Sequence, residues 1–229
     1  MDIATLDSAL EDIPGVATST NASILRTVRD RGVGAAIWRR SPEPSLAYWL
    51  ETIADRNLPH GRILVSLIDL QKAVPQLVMK NGLPLSRHTE QLAADIIFLA
   101  QCFAFVSDES QVDIRLETIT DDACWKFHYD HVPLRLVVTY RGPGTQFVPR
   151  DHYEAAMSEQ THYRGPLHDI SGFTAAIFKG SLAEQGGILH RSPPISGSGQ
   201  SRLLLCLNVP TAVSPPLWHS VTMPFSGSE

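Results

Sequence analysis

The chain has 229 residues, of which 43% are hydrophobic and 19% charged, with a formal net charge of -5. That length and composition suit a globular protein with a sizeable core and exclude a disordered chain. The acidic balance gives no general electrostatic reason to bind nucleic acid or an anionic membrane, and no uninterrupted apolar run is long enough to span a bilayer.

In chain order, residues 1–22 are polar and Ser/Thr-rich, broken by Pro14-Gly15, and read as a flexible lead-in. Its first seven residues lack the basic start and apolar core of a signal peptide, so the expected compartment is the cytoplasm. Val33 to Trp38 reads as a short buried strand. Ser41-Pro42-Glu43-Pro44-Ser45 signals a helix start, since proline suits the first turn. The helix runs through Leu46, Leu50 and Ile53. Apolar residues from Ile63 to Val74 have helical spacing, with Pro75 interrupting. Ser86 caps a longer helix whose apolar face is Leu92, Ile96, Leu99 and Phe103. Residues 23–111 are therefore expected to form a mainly helical layer.

The period changes after Ser107. Val112, Ile114 and Leu116 alternate with Asp113, Arg115 and Glu117, the mark of a half-buried strand. Residues 122–130 and 134–141 read as the next two strands, and Phe147 to His168 as a long polar excursion. Strands follow at 174–180 and around Gly187 to Pro194, where Pro193-Pro194 is a stop. Arg202 to Val209 is a strongly apolar last strand, and 210–229 a tail. Helices followed by many short strands indicate α+β. The strand part, 112–209, is expected to be a double-stranded β-helix, a jelly-roll or cupin-like barrel, packed against the helical layer as one structural domain.

Six of the nine histidines lie between His128 and His190. His128 and Asp130 are two apart, so on a strand they share a face and form two thirds of a 2-His-1-carboxylate metal triad. His131 would point to the opposite face. His190, on a short strand 62 residues on, can supply the third ligand at the same barrel mouth. Arg202 would bring a guanidinium into an apolar barrel, where it needs a carboxylate partner. Each residue also has a plain reading: His128 and Asp130 as a hydrogen-bonded pair, His190 as a turn histidine, and Arg202 paired with an internal acid. Tyr140 and Arg141, ahead of Gly142-Pro143-Gly144, form either a turn or a lip that touches substrate or co-substrate. His162 and His168 lie in the excursion and are assigned to a substrate loop. Cys102, Cys124 and Cys206 form no metal or redox pair and read as small buried hydrophobes.

The order His-x-Asp, then His, then Arg over 112–209 resembles the Fe(II)/2-oxoglutarate dioxygenases. That resemblance implies Fe(II) on His128, Asp130 and His190, with Arg202 holding the distal carboxylate of 2-oxoglutarate and the protein hydroxylating a polar small molecule. Longer segments carry a second resemblance. They are Asp121 to Cys124, Phe127 to Asp130, Thr139 to Thr145, His190 to Pro194, and Arg202 to Leu207. These are similar to a bacterial family named domain of unknown function 1826, which implies the same residues without a reaction. A cupin-like zinc protein, in metal homeostasis or metal-dependent hydrolysis, uses the same triad. A metal-free interaction module is the third reading. A homodimer remains open.

Overall fold

The computed structural model describes residues 13–184 and 187–220. Most of the fold is a seven-stranded mixed sheet flanked by helices, which is α+β. Its strands are β1 (Val16–Ser19), β2 (Ala35–Trp38), β3 (Gly61–Ser66), β4 (Gln111–Ile119), β5 (Leu134–Arg141), β8 (Ala175–Lys179) and β10 (Arg202–Asn208). They lie in the order β1-β2-β8-β5-β10-β4-β3. Only β1 and β2 pair in parallel; the other neighbours are antiparallel. Three two-residue strands make a second sheet, in the order β7-β6-β9: β6 (Gln146–Phe147), β7 (His168–Asp169) and β9 (His190–Arg191).

The last strand in sequence sits in the middle of the large sheet. Every residue of β10 is buried, because β4 and β5 cover its edges and packed layers cover both faces. A strand buried on both sides needs a nearly unbroken apolar run, and Leu203 to Leu207 supplies one. Leu203, Leu205 and Leu207 face the helical side, while Leu204 and Cys206 face the second sheet.

On the helical side lie α1 (Pro44–Thr52), α2 (Leu70–Met79) and α3 (Arg87–Ser107). Glu43 caps α1 by accepting from the Leu46 N–H, with Pro44 in the first turn, as the sequence predicts. Ser86 and Thr89 close a reciprocal capping box on α3. Leu92, Ile96, Leu99 and Phe103 are fully buried against the sheet. By length and composition α3 is the one helix among the described residues apolar enough to cross a membrane, but over half of that stretch is buried inside the fold. The network of Arg40, Asp95 and Tyr140 ties α3 to the sheet. Arg40 pairs with Asp95 through both guanidinium amino groups, and the Tyr140 hydroxyl donates to Asp95 Oδ2 at 2.6 Å.

Several expectations change. Residues 1–12 of the lead-in lie outside the described residues, while Val16–Ser19 forms β1 and hydrogen-bonds to β2. The stretch 23–111 holds β2 and β3 as well as helices, so strands from the helical layer complete the large sheet. The helical reading of 63–74 is corrected: Ile63 to Ser66 belong to β3, which pairs with β4, and α2 starts only at Leu70. A continuous apolar run carries both periods, and pairing with β4 decides between them. Pro75 is accepted inside α2, whose flanking Ala73, Val74, Leu77 and Val78 are buried. In the tail, Leu217 bridges Leu64, and the Trp218 N–H donates to the Leu64 carbonyl at 2.7 Å, covering the β3 edge.

Candidate metal centre

Residues 120–133 do not form the predicted strand. Among the described residues of that segment only His128 pairs, in an isolated antiparallel bridge with His190. Both backbone bonds of that bridge form, His128 N–H to His190 O at 2.9 Å and His190 N–H to His128 O at 3.1 Å. The bridge extends the second sheet by one residue and sets the two imidazoles side by side, with ring centroids 4.7 Å apart. Asp130 comes into reach through the turn that follows, where its carbonyl accepts from Ser181 at 2.8 Å. Gly180 is needed here, because a Cβ at that position would stand 2.1 Å from the Val132 carbonyl oxygen and 2.5 Å from that of Asp130.

One ligand atom each from His128, Asp130 and His190 falls within 4.8 Å of the others. His128 Nε2 is 3.9 Å from Asp130 Oδ1, and His190 Nε2 is 3.4 Å from Asp130 Oδ2. His190 and Asp130 are buried, while His128 is partly exposed and marks the open side.

The hydrogen bonds fix what these atoms offer. His128 Nδ1 lies 2.8 Å from the Lys126 carbonyl and His190 Nδ1 lies 3.1 Å from the Ile188 carbonyl. A carbonyl only accepts, so each Nδ1 carries the proton and each Nε2 presents a lone pair. Burial, the dominant cause, pushes the His190 pKa down to about 4, so this ring is neutral at pH 7. Asp130 Oδ2 is buried without a hydrogen-bond partner. Two imidazole lone pairs and an orphaned carboxylate oxygen thus face one another with no donor between them. Such a set repels itself unless a cation lies at its centre, and backbone carbonyls behind both rings are the usual outer support of metal-bound histidine. The residues present therefore fit a divalent ion.

Arg202 has no measurable exposure. Its Nε donates to the Pro143 carbonyl at 2.7 Å, and the two amino groups donate to Ser192 Oγ and, at 3.3 Å, to Thr139 Oγ1. No carboxylate among the described residues forms an ion pair with it. The alternative of an internal acid is not met there. Gly142, with φ of +77°, lets the turn approach, since a Cβ would stand 2.2 Å from the Ser201 carbonyl oxygen. Arg202 has the strand parity of Leu204 and Cys206, which cluster with Phe178, the ring beside His190, and its partner Ser192 follows His190 by two residues, so the guanidinium and the triad border one interior. Burial pushes the Cys206 thiol up to about 12 and keeps it protonated. Cys124 is exposed rather than buried as predicted.

The assignments of Tyr140 and Arg141 are corrected, and His162 and His168 take their places in the excursion. Tyr140 lies on the opposite sheet face, in the Asp95 network, because strand alternation places it with Leu136 and Val138 toward the helices. Arg141 donates to the Ile53 carbonyl at 2.7 Å and pairs with Glu51 and Asp55, so it anchors the end of α1. His162 is exposed on a short helical turn. His168 stacks on Phe147 at 5.2 Å, and Phe147 stands between it and His190 across the second sheet. The excursion itself is folded, with α4 (Tyr153–Glu159) packed through Ala156 onto Phe127, Val148 and Leu189.

The sequence reading missed Arg135. It donates from Nη1 to Asp130 Oδ1 and from Nε to Asn208 Oδ1 at 2.6 Å. The signal was a charged residue at the same strand parity as Val137 and Thr139, in an otherwise apolar strand.

Among solved structures, the chain resembles a Pseudomonas putida prolyl-4-hydroxylase, with 12% identity and a TM-score of 0.46, over 85% of this chain and 94% of that one. A bsmA homolog from Methylobium petroleophilum PM1 aligns at 14% identity and a TM-score of 0.43, over 86% of this chain and 95% of that one. AviO1 from Streptomyces viridochromogenes Tue57 aligns at 14% identity and a TM-score of 0.39, over 87% and 99%. Likeness at this level leaves the chemistry to the residues of the site. No curated protein matches the chain. Residues 19–208 match the family described as "Protein of unknown function (DUF1826)", and the chain belongs to that family.

Proposed function

We propose that this protein is an Fe(II)/2-oxoglutarate-dependent dioxygenase that hydroxylates a polar small molecule. The observation that carries the reading is the pairing of two unmet charge demands across one interior: an acceptor-only His-Asp-His set and a buried guanidinium without a carboxylate. An ion answers the first and the far carboxylate of a dicarboxylic keto acid answers the second. The two facing sheets, with the apolar cluster of Val137, Phe147, Phe178, Ile188 and Leu204 between them, support a double-stranded β-helix.

His128, Asp130 and His190 would hold the iron, which when loaded with keto acid and O2 supplies the oxidising chemistry. Arg202 would orient the keto acid by a charge-assisted, two-point grip, with Ser192, Thr139 and the Pro143 carbonyl holding the guanidinium plane in place. The burial of Asp130 and His190 keeps bulk water from their side of the ion, and partly exposed His128 marks where substrate would approach. Arg115 and Glu117, ion-paired and partly exposed on β4 opposite Cys206 and Leu204, support a polar substrate.

Anaerobic addition of Fe(II) and 2-oxoglutarate is expected to produce a weak visible charge-transfer band that His190→Ala abolishes. Normal iron binding with no affinity for 2-oxoglutarate overturns the reading. The same donor set suits zinc with water in the fourth position. Zinc retained through purification, with no keto-acid turnover, would favour a zinc protein instead.

A further inference from the structure

Asp130 has two oxygens in different surroundings. Oδ1 accepts from Arg135 Nη1, whereas Oδ2 has no hydrogen-bond partner and lies 3.4 Å from His190 Nε2. Arg135 is itself held. Its Nε donates to Asn208 Oδ1 at 2.6 Å, and Arg135 lies directly opposite both Phe178 on β8 and Asn208 on β10. The guanidinium is therefore fixed by the large sheet, while Asp130 sits in a turn.

A free carboxylate beside a divalent ion can bind through one oxygen or chelate through both. Chelation uses an extra coordination position and requires both oxygens to turn toward the ion. A guanidinium bonded to one of them opposes that rotation, because the charge-assisted bond would be lost in a largely buried setting. We infer that Arg135 is a positioning residue that confines Asp130 to one coordinating oxygen, Oδ2, and thereby keeps the maximum number of positions at the ion open. This rests on the metal reading above and deepens it. A keto acid that chelates needs two adjacent positions and O2 a third, which an octahedral ion with three single-point protein ligands provides. Asn208 completes the device by fixing the direction of the guanidinium.

The test uses Mn2+ alone, with bound water counted by water-proton relaxation and affinity by titration calorimetry. Arg135→Met keeps the length and apolar stem but removes every donor. Its Mn2+ complex is expected to hold one metal-bound water fewer than the unaltered chain. Arg135→Lys, which keeps a cationic donor, is expected to restore most of the lost hydration. Asn208→Leu preserves all charges and should give a hydration number between those of the unaltered chain and Arg135→Met, so it carries the test if Arg135→Met does not fold. A merely structural role would lower stability without changing the water count. Equal hydration across the folded variants overturns the inference and leaves the metal reading standing. An unaltered chain that binds no Mn2+ and no Fe(II) overturns both.

Discussion

At the scale of single residues, the informative feature is unmet chemistry rather than residue type. Arg202 is donor-satisfied but not charge-satisfied, since its partners are a carbonyl and two hydroxyls. Burial, the largest cause, lowers its pKa, and no carboxylate among the described residues is ion-paired with it. Arg202→Met is therefore expected to weaken 2-oxoglutarate binding by about 100-fold or more while leaving Fe(II) binding within a few-fold, measured by anaerobic titration. An equal loss of both would mean that Arg202 supports the fold. His128, Asp130, His190 and Arg202 were all legible in the sequence. Histidine and His-x-Asp are rare enough to be noticed, and an arginine opening an apolar strand breaks the pattern around it. Arg135 is not legible because a charged residue at the start of a strand usually faces water, and it takes Asp130, five residues earlier, and Asn208, far along the chain, to give it a buried task.

At the scale of elements, parity and register decide which side chains meet. Tyr140 and Arg141 sit at the end of a strand that carries Thr139 into the Arg202 site, yet alternation puts Tyr140 with Leu136 and Val138 on the side of α3. Burial and the neighbouring Asp95 hold the Tyr140 hydroxyl well above its ordinary pKa, so it acts as a hydrogen-bond donor to Asp95. Tyr140→Phe is expected to cost roughly 1.5–3 kcal/mol of stability in urea unfolding, the range for a hydrogen bond to a charged group, with no change in metal affinity. A drop in metal or keto-acid affinity would return Tyr140 to the site. The short strands β6, β7 and β9 were read only as loop and strand fragments, because two residues are too few to show a period.

At the scale of the whole molecule, the residues of the candidate metal centre are a stability term as well as a site. His190 is neutral in the folded protein down to about pH 4 because burial disfavours its charged form. The same histidine in the unfolded chain takes a proton near pH 6.5. Between those values the unfolded state binds the extra proton, so this contribution is present in full above pH 6.5 and is lost as the pH falls toward 4. The metal-free protein is expected to lose on the order of 3 kcal/mol from this group across that window. The difference between its unfolding profile and that of His190→Gln isolates the effect, and parallel profiles would refute it.

The sequence alone determined the α+β class, the position and face of α3, the apolar last strand and the four residues that draw attention to a metal and an anionic co-substrate. Those features are written in local periodicity, in capping residues and in unusual side chains, and each is readable within a short window. Only the tertiary structure decided that β10 enters between β4 and β5, that a one-residue bridge rather than a strand aligns His128 with His190, and that Arg135 faces Asp130. The reason is physical: pairing partners far apart in the chain compete for the same backbone donors and acceptors. Which partner wins depends on burial summed over the whole sheet, a quantity that no short stretch of sequence contains.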